Sequence, residues 1–545
     1  MSAWTRVRGV FWGAAALLAA PASAQTVRIC QVQGAGSTPA IQGRVTVTGV
    51  VIADFTATSV KGFFLQEPGC DSDAATSDGI FVSTSSRAGA VTVGNRVTAS
   101  GQVSDTSGLT TITLESLSDS GPYAGSIQAV RLTPPTDPVA AAAYLEPFEG
   151  MLVGLPVSRV IAATNHYGDA FVMPESSGVT RLYRGEADGR KLAVTCPGCW
   201  LSVNQGDRLT DASGVLSYQY GDFAMLVKAT KTPTVEAAAL TPAIPQPTAG
   251  SFTVAAYNLE NFFDAVDDPL TADDVPSSAQ YAAGLAARAA SIARYLGSPD
   301  VVGVEEAENL QVLQDLAAHP DLLPAAYRPV LIDGADSRGI DVGLLYRADR
   351  WWLRSSEARQ GCTTIRASAS DVPCPVSGGQ GYALFARPPL VVKLESLASG
   401  ERLTFIVNHF KAQEDGSLVD DQLRLASAAH VKALADELKT TEPEAAVLVL
   451  GDLNDFEDSA TLAQLKAGGL VDLHGRSGER PYSYVYRGLA QVLDFALVDP
   501  ALVPRVVDFR PVHINVDFGA PAPGSAGSGL HASDHDPVLL TLRQR

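Results

Sequence analysis

Positive charge is what this chain lacks most. Lys and Arg number 40 against 59 Asp and Glu, a formal net charge of −19 over 545 residues. A protein that grips nucleic acid by broad neutralisation of phosphates needs the opposite balance, so that class is disfavoured. An enzyme acting on a phosphate ester is not excluded, because a bound divalent cation and a few Arg and Lys side chains supply the charge locally. Long apolar runs are missing as well: beyond the N-terminus no 18 consecutive apolar residues occur, and no stable membrane insertion is expected. Cysteine is scarce, with 6 residues. Cys196-Pro-Gly-Cys199 has no second CxxC to make a four-thiolate zinc site, so a local disulfide is the preferred reading. Cys362 with Cys374 and Cys30 with Cys70 are the other expected pairs, although sequence alone leaves connectivity open.

Residues 1–24 have the layout of a secretory signal peptide. Arg6 and Arg8 supply the positive start, residues 10–20 form a short apolar stretch interrupted by Gly13, and Ala22-Ser-Ala24 offers a small-residue cleavage site. The expectation is an exported protein, extracellular or periplasmic, in a compartment that permits disulfides.

The rest divides by pattern. Residues 25–144 read as a β-module, with short strand-like runs such as Gly62-Phe-Phe-Leu-Gln66 and Thr110-Thr-Ile-Thr-Leu114 and one helical stretch at 138–144. Residues 145–235 repeat it: Gly94-Asn-Arg-Val-Thr has a partner in Gly206-Asp-Arg-Leu-Thr, and Gly62-Phe-Phe-Leu a weaker one in Asp169-Ala-Phe-Val. Residues 236–250 carry three prolines and almost no charge, a stiff linker. From 251 to 545 strand-like runs alternate with helical ones, an α/β pattern. Residues 280–296 have helical spacing, and 420–438 place Leu423, Leu425, Ala429, Val431, Leu434 and Leu438 on one broad face.

In that second half polar residues follow apolar strands at once. Residues 253–257 lead to Asn258, 301–304 to Glu305 and Glu306, 403–407 to Asn408 and His409, and 447–450 to Gly451-Asp-Leu-Asn454. Asp494 sits inside residues 492–498, and Ser533-Asp-His-Asp536 precedes the last strand. Strands of one sheet present their ends on a common edge, so these groups can converge. Taken singly, each is more often a cap, a turn or a structural histidine; the ordered set is what points to chemistry.

In order, Asn258-Leu-Glu-Asn-Phe-Phe-Asp264, Glu305-Glu-Ala-Glu-Asn309, Asn408-His-Phe-Lys411, Gly451-Asp-Leu-Asn-Asp455, Leu493-Asp494 and Ser533-Asp-His-Asp-Pro537 resemble the motifs of the endonuclease/exonuclease/phosphatase family, to which deoxyribonuclease I belongs. Residues 336–346 resemble its DNase-I-like bacterial branch, and the β-rich half resembles the OB-fold-like modules that precede the catalytic domain in secreted bacterial nucleases. The resemblance implies a four-layer α/β/β/α sandwich preceded by all-β modules. It also implies Glu306 and Asn258 on a metal, with Asp534 completing the shell, and hard oxygen ligands suit Mg²⁺, with Mn²⁺ or Ca²⁺ as alternatives. His535 would be the general base, oriented by Asp494; Asp452 would orient the water; Asn454 would donate to the phosphoryl oxygen; and His409 would flank the phosphate. An acid pairs with that histidine in the branch, and Asp336 and Asp341 are both candidates. Glu305 stands where the family commonly has Gln, and Phe495 where many relatives have His or Tyr.

Arg338, Lys411 and Tyr484 are the substrate-binding candidates, with Arg487, Tyr482 and Tyr486 beside them. Asp264, Asp267, Asp268, Asp273 and Asp274 read as a solvated acidic loop, since they lack EF-hand order. His166, His319, His430, His474, His513 and His531 carry no motif and read as structural. The expected function is a secreted metal-dependent endonuclease hydrolysing DNA, or RNA, by in-line attack of water. The alternative is a phospholipid phosphodiesterase or phosphomonoesterase of the same fold, for which the Trp351-Trp352 pair would be the docking feature.

Overall fold

The structure, a computed structural model, describes every residue except 1–23, 85–90, 246–247, 369–370, 414–416, 477–479 and 526. The signal-peptide reading therefore lies outside the described residues, save Ala24. By contacts the chain forms two compact units interleaved in sequence. One takes residues up to Val130, Ala143–Val153 and Val215–Phe223; the other takes Arg131–Ala142, Gly154–Gly214 and Ala224–Arg545.

The first unit holds a barrel closed on itself. Strand Gly43–Asp54 pairs with Gly62–Gln66, then follow Gly79–Ser83, Leu109–Pro122 and Asn95–Thr106, and the last pairs back with Gly43–Asp54. Phe63, Leu65, Val82, Val97 and Ile112 fill its interior. Cys30 is bonded to Cys70, and elsewhere Cys196 to Cys199 and Cys362 to Cys374, the three pairs expected. The two halves of the internal repeat behave alike locally. Gly94 (φ 92) and Gly206 (φ 88) both take the left-handed turn that precedes a strand, a conformation open to glycine at little cost.

In the second unit the α/β region is a sandwich of two six-stranded sheets. We number its strands β1 (Ser251–Phe262), β2 (Val301–Ala307), β3 (Tyr327–Leu331), β4 (Asp341–Arg347), β5 (Trp351–Ala358), β6 (Leu390–Ser396), β7 (Arg402–His409), β8 (Ala446–Asp452), β9 (Val471–Asp472), β10 (Asp494–Val498), β11 (Val506–Pro511) and β12 (Val538–Arg543). One sheet runs β3-β4-β2-β1-β12-β11 and the other β5-β6-β7-β8-β10-β9. Helices α1 (Ser278–Ala290) and α2 (Leu310–Ala318) cover the first sheet, α3 (Leu418–Thr441) and α4 (Ala460–Ala467) the second. This is the expected α/β/β/α arrangement.

Strand alternation decides which side chains meet between the sheets. Phe252, Val254 and Ala256 of β1, Leu403, Phe405 and Val407 of β7, Leu448 and Leu450 of β8, and Ala496 and Val498 of β10 form the inter-sheet core. Ile406, Val447, Val449 and Leu497, one residue out of step, pack under α3 and α4 instead. Extending the inward parity to the strand ends reaches Asn258, His409, Asp452 and Asp494. Glu305 lies on the same parity and is fully buried.

Three expectations about local structure need correction. On α3, Leu425 is 40% exposed and Ala429 is exposed as well, while Arg424 is buried. The guanidinium of Arg424 donates to the carbonyls of Lys411 and Ala412, so a charged residue takes an inward position by capping the chain after β7. The helical run expected over 280–296 is α-helical only to Ala290, and Ser291–Tyr295 widens into a π-turn. Trp351 packs edge-on against Phe252 at 5.2 Å, so only Trp352 of that pair is exposed.

Gly451 is indispensable to this arrangement. Its φ is 124°, and a Cβ there would meet the Asn408 carbonyl oxygen at 2.0 Å and Glu305 Oε1 at 2.8 Å. Gly451→Ala should therefore cost about 3 kcal/mol or more of stability, read from urea unfolding midpoints. A loss below about 1 kcal/mol would show that the β7–β8 ladder yields at that point.

Candidate active site

Register places the first three groups. β7 and β8 run parallel with His409 opposite Asp452, and β8 and β10 run antiparallel with Asp452 opposite Asp494. One row across three strands thus carries a histidine and two carboxylates. On the facing sheet β1 and β2 pair Asn258 with Glu305. The sheets are joined at this end by Asn258 Nδ2, which donates to Asp452 Oδ2 at 3.2 Å.

The loop before β12 adds the rest. Ser533 Oγ donates to the Asn258 carbonyl at 2.7 Å, and the His535 backbone N–H donates to Ser533 Oγ at 3.1 Å. His535 Nδ1 lies 2.8 Å from Asp494 Oδ2, and its Nε2 lies 3.9 Å from Asp452 Oδ2. The Tyr484 ring lies against the imidazole at 4.5 Å, so His535 is held from two sides.

Glu306 is in the left-handed region (φ 60), which removes it from strand alternation and turns it out of the buried row. Its Oε2 accepts the Asn261 N–H at 2.7 Å and its Oε1 lies 3.6 Å from His409 Nε2. Glu305, by contrast, keeps the inward parity, and neither of its carboxylate oxygens has a partner. Asn454, also left-handed, donates its N–H to Asp452 Oδ1 at 2.8 Å and its Nδ2 to the Phe410 carbonyl at 3.2 Å.

Burial and charge set the protonation states. Burial alone would depress the His535 imidazolium, but the carboxylates of Asp494 and Asp452 overcome it and hold its pKa well above the ordinary histidine value. Burial pushes Asp452 up to about 7, with the neighbouring Asp494 charge adding to the effect and His535 opposing it. His409 is driven well below its ordinary value by burial and then by Arg387 and Arg338, so it is neutral at pH 7. Glu305 is pushed well up by burial and then by the charges of Asp494 and Asp452.

Of the two acids considered as partners of His409, neither touches it. Asp336 pairs with the buried Arg387 at 2.6 Å, and Asp341 accepts the Gly334 N–H at 2.9 Å. His409 instead faces Glu306 and, at 3.7 Å, Asp452, while its Nδ1 has no partner. Arg338 reaches the rim, donating to Asn261 Oδ1 at 3.2 Å. Lys411 Nζ stands 4.0 Å from Asp420. Arg487 sits in the turn between strands Tyr484–Tyr486 and Leu489–Gln491, where its carbonyl accepts Lys191 Nζ. Tyr482 is buried, with the Arg181 guanidinium over its ring at 4.1 Å and His513 stacked on it at 3.9 Å. Tyr486 is 44% exposed.

Three residues join the site that the motif reading passed over. Glu260 follows Asn258 at the strand interval of two, a signal already present in the sequence; it is left-handed (φ 53) and stands beside Asp534. Its carboxyl is pushed well up by burial and by the charges of Asp534 and Glu306. Arg387 lies under the site and donates to the Phe410 carbonyl at 3.2 Å; no motif marks it. His166 comes from outside the sandwich altogether, with Nδ1 3.2 Å from Glu260 Oε1. In the acidic loop after β1, Asp267, Asp268 and Asp274 are exposed, and Asp264, Asp267 and Asp268 line an open cleft of about 240 Å³ together with Glu308, Asp333 and Asp341.

Residues 253–480 match a family model described as the Endonuclease/Exonuclease/phosphatase family, and residues 110–237 match one described as a domain of unknown function. No curated protein sequence matches the chain. Among solved structures, an endonuclease/exonuclease/phosphatase family protein from Bacteroides thetaiotaomicron is 18% identical, with 55% of this chain and 95% of that one covered at a TM-score of 0.39. A humanized D. rerio TDP2 is 16% identical, covering 54% and 99% at a TM-score of 0.36. A mannosyl-6-phosphatase from Bacteroides thetaiotaomicron is 17% identical, covering 53% and 98% at 0.37. The matched family segment ends before Asp494, Asp534 and His535, whose place in the site rests on the geometry above.

The electrostatics are directly measurable. In metal-free protein the His535 imidazole, followed by NMR, should titrate well above 6.5, the ordinary histidine value. Asp494→Asn should lower that value, because the burial stays and the nearest carboxylate goes. The raised pKa also means that His535 contributes stability below its unfolded-state pKa, and that this contribution is lost as pH rises through the folded value. An unchanged His535 titration in the variant would remove Asp494 from its proposed role.

Proposed function

We propose that this chain, whose residues 253–480 match the endonuclease/exonuclease/phosphatase family model, is a metal-dependent phosphodiesterase acting on DNA, or RNA. One observation carries the reading: His409, Asp452 and Asp494 stand in one row opposite Asn258, with His535 hydrogen-bonded to the end of the row. Phosphoryl transfer needs positioned donors and charge around a phosphate more than it needs covalent chemistry, and this row supplies both.

The donor set at the rim fits a hard divalent cation. The charges of Glu306 and Asp534 act on Glu260, whose backbone N–H donates to Asn258 Oδ1 at 2.9 Å, and the mutual repulsion that raises Glu260 is what a cation would relieve. Glu306, Asn258 and Asp534 would hold Mg²⁺, with Mn²⁺ or Ca²⁺ as alternatives. When bound, such an ion would supply Lewis-acid stabilisation of negative charge on the phosphate.

The chain's own residues do the remainder. His535, fixed by Asp494 and Tyr484, presents Nε2 to the attacking water as its general base, and Asp452, 3.9 Å from that nitrogen, orients the water. Asn454 directs its remaining amide N–H to the phosphoryl oxygen, and neutral His409 donates from the opposite side. Arg338 at the rim meets substrate phosphates beyond the scissile one. Lys411 and Tyr484 are its proposed companions; Tyr484 reaches substrate only past the imidazole it covers.

The β-modules are read as OB-like polymer-docking elements and the protein as exported. The closed five-stranded order of the first barrel supports the former. The Trp351-Trp352 pair does not form a two-residue docking feature for lipid, since Trp351 is buried against Phe252 and only Trp352 is exposed.

A plasmid-nicking assay on residues 25–545 tests the function. Mg²⁺-dependent nicking is expected, abolished by EDTA and by Glu306→Ala. His535→Ala and Asp452→Asn should each lower turnover about 10²–10⁴-fold with little change in melting temperature. Absence of cleavage on DNA and RNA, with turnover of a phospholipid or a phosphate monoester, would transfer the same residues to that substrate.

A further inference from the structure

His166 is not part of the sandwich. It sits on the hairpin between strands Ser158–Ala162 and Asp169–Pro174, in the second β-region of the chain. Yet its ring nitrogen, a Glu260 oxygen and an Asp534 oxygen all lie within 4.8 Å of one another. Ligands about 2.0–2.6 Å from a common ion are separated by distances of this order. The three donors come from three separate stretches of chain, so their convergence is a property of the fold and not of local sequence.

The hairpin is also fixed where it stands. Asn165 Oδ1 accepts the N–H groups of Tyr167 and Asp169, which sets the turn. The Thr164 carbonyl accepts the Ala520 N–H at 2.7 Å, and Trp200 Nε1 donates to the Ala520 carbonyl at 2.8 Å. Three residues earlier, Asp517 is held by Arg181 at 2.5 Å and by the Tyr482 hydroxyl at 2.9 Å, with both ionic side chains nearly buried. From this loop Asn515 Nδ2 donates to the His535 carbonyl. A continuous set of hydrogen bonds thus runs from the turn carrying His166 to the loop carrying Asp534 and His535.

We propose that His166 closes, with Glu260 and Asp534, a mixed imidazole–carboxylate cation site at the mouth of the active site, so that the preceding β-region supplies a residue the catalytic sandwich lacks. The inference rests on the phosphodiesterase reading and deepens it by naming the metal class. Carboxylates alone suit Mg²⁺ and Ca²⁺, whereas an imidazole shifts preference toward first-row transition ions. With one nitrogen and two carboxylate oxygens, Mn²⁺ is the ion this set favours over Mg²⁺.

The test uses the full mature chain, stripped of metal and titrated with Mn²⁺ while free ion is followed by electron paramagnetic resonance. Wild type, His166→Gln, His166→Ala and Glu306→Ala are compared, with melting curves to show that each is folded. His166 is partly exposed, so its replacement should leave the fold intact. The expected result is Mn²⁺ affinity lowered about 10-fold or more in both His166 variants, with loss of preference over Mg²⁺. Pulsed measurements should show a ¹⁴N coupling to bound Mn²⁺ that disappears in the same variants. Unchanged affinity and unchanged nitrogen coupling in His166→Ala would overturn the proposal and reduce His166 to an ion-pair partner of Glu260, leaving the phosphodiesterase reading intact. A wild type that binds no Mn²⁺ and nicks DNA in EDTA would overturn both.

Discussion

Everything at the site depends on the register of three strands. Because β7 and β8 run parallel and end together, His409 and Asp452 are lateral neighbours; because β10 runs antiparallel to β8, Asp494 is the next in line. The hydrogen bond from Asn258 to Asp452 then ties this row to the opposite sheet. A slip of one residue in β8 would turn Asp452 toward the helices and bring an apolar side chain into its place. The inter-sheet core prevents that slip, since Leu448 and Leu450 would have to leave it together.

The same end of the sandwich concentrates strain and charge. Of the twelve described non-glycine residues with positive φ, Glu260, Asn261, Glu306 and Asn454 belong to the site. Each left-handed residue costs about 1–3 kcal/mol, which the apolar core between the sheets offsets. The strain has a use: it frees Glu306 and Glu260 from the two-residue alternation that would otherwise bury them or point them away. Glu305 shows the consequence of obeying the alternation, being buried, without a hydrogen-bond partner for its carboxylate among the described residues, and pushed up in pKa. Opposite charges packed at low dielectric then divide the labour, with His535 raised in pKa by Asp494 and His409 held neutral by burial and nearby guanidinium groups.

Much of this was legible in the sequence. The two-residue period of apolar side chains in β1, β7, β8 and β10 identifies the strands, and the polar residue ending each run identifies a shared rim. The order of those endings carries the family resemblance, and with it Asn258, Glu306, His409, Asp452, Asn454, Asp494 and His535, all of which the fold brings together. The three disulfide pairs expected are the ones formed, although spacing alone left their connectivity open. The inward face of α3 was less legible: Leu425 and Arg424 exchange the places that hydrophobicity assigns them, because the guanidinium donates to the Lys411 and Ala412 carbonyls and a leucine has no donor.

Sequence by itself therefore determined the α/β sandwich, the residues at its rim and the acidic character of that rim. These follow from local periodicity and from side-chain types, which one dimension records. Only the tertiary structure decided the direction in which His535 and Asp452 are shifted, the facing of His409 by Glu306 and Asp452 in place of Asp336 or Asp341, and the arrival of Arg387 and His166. Each of these depends on through-space burial and on contacts between segments far apart in the chain, His166 and Asp534 above all. No spacing in a linear sequence carries that information, because the distance between such residues is set by packing and not by the number of bonds that separate them.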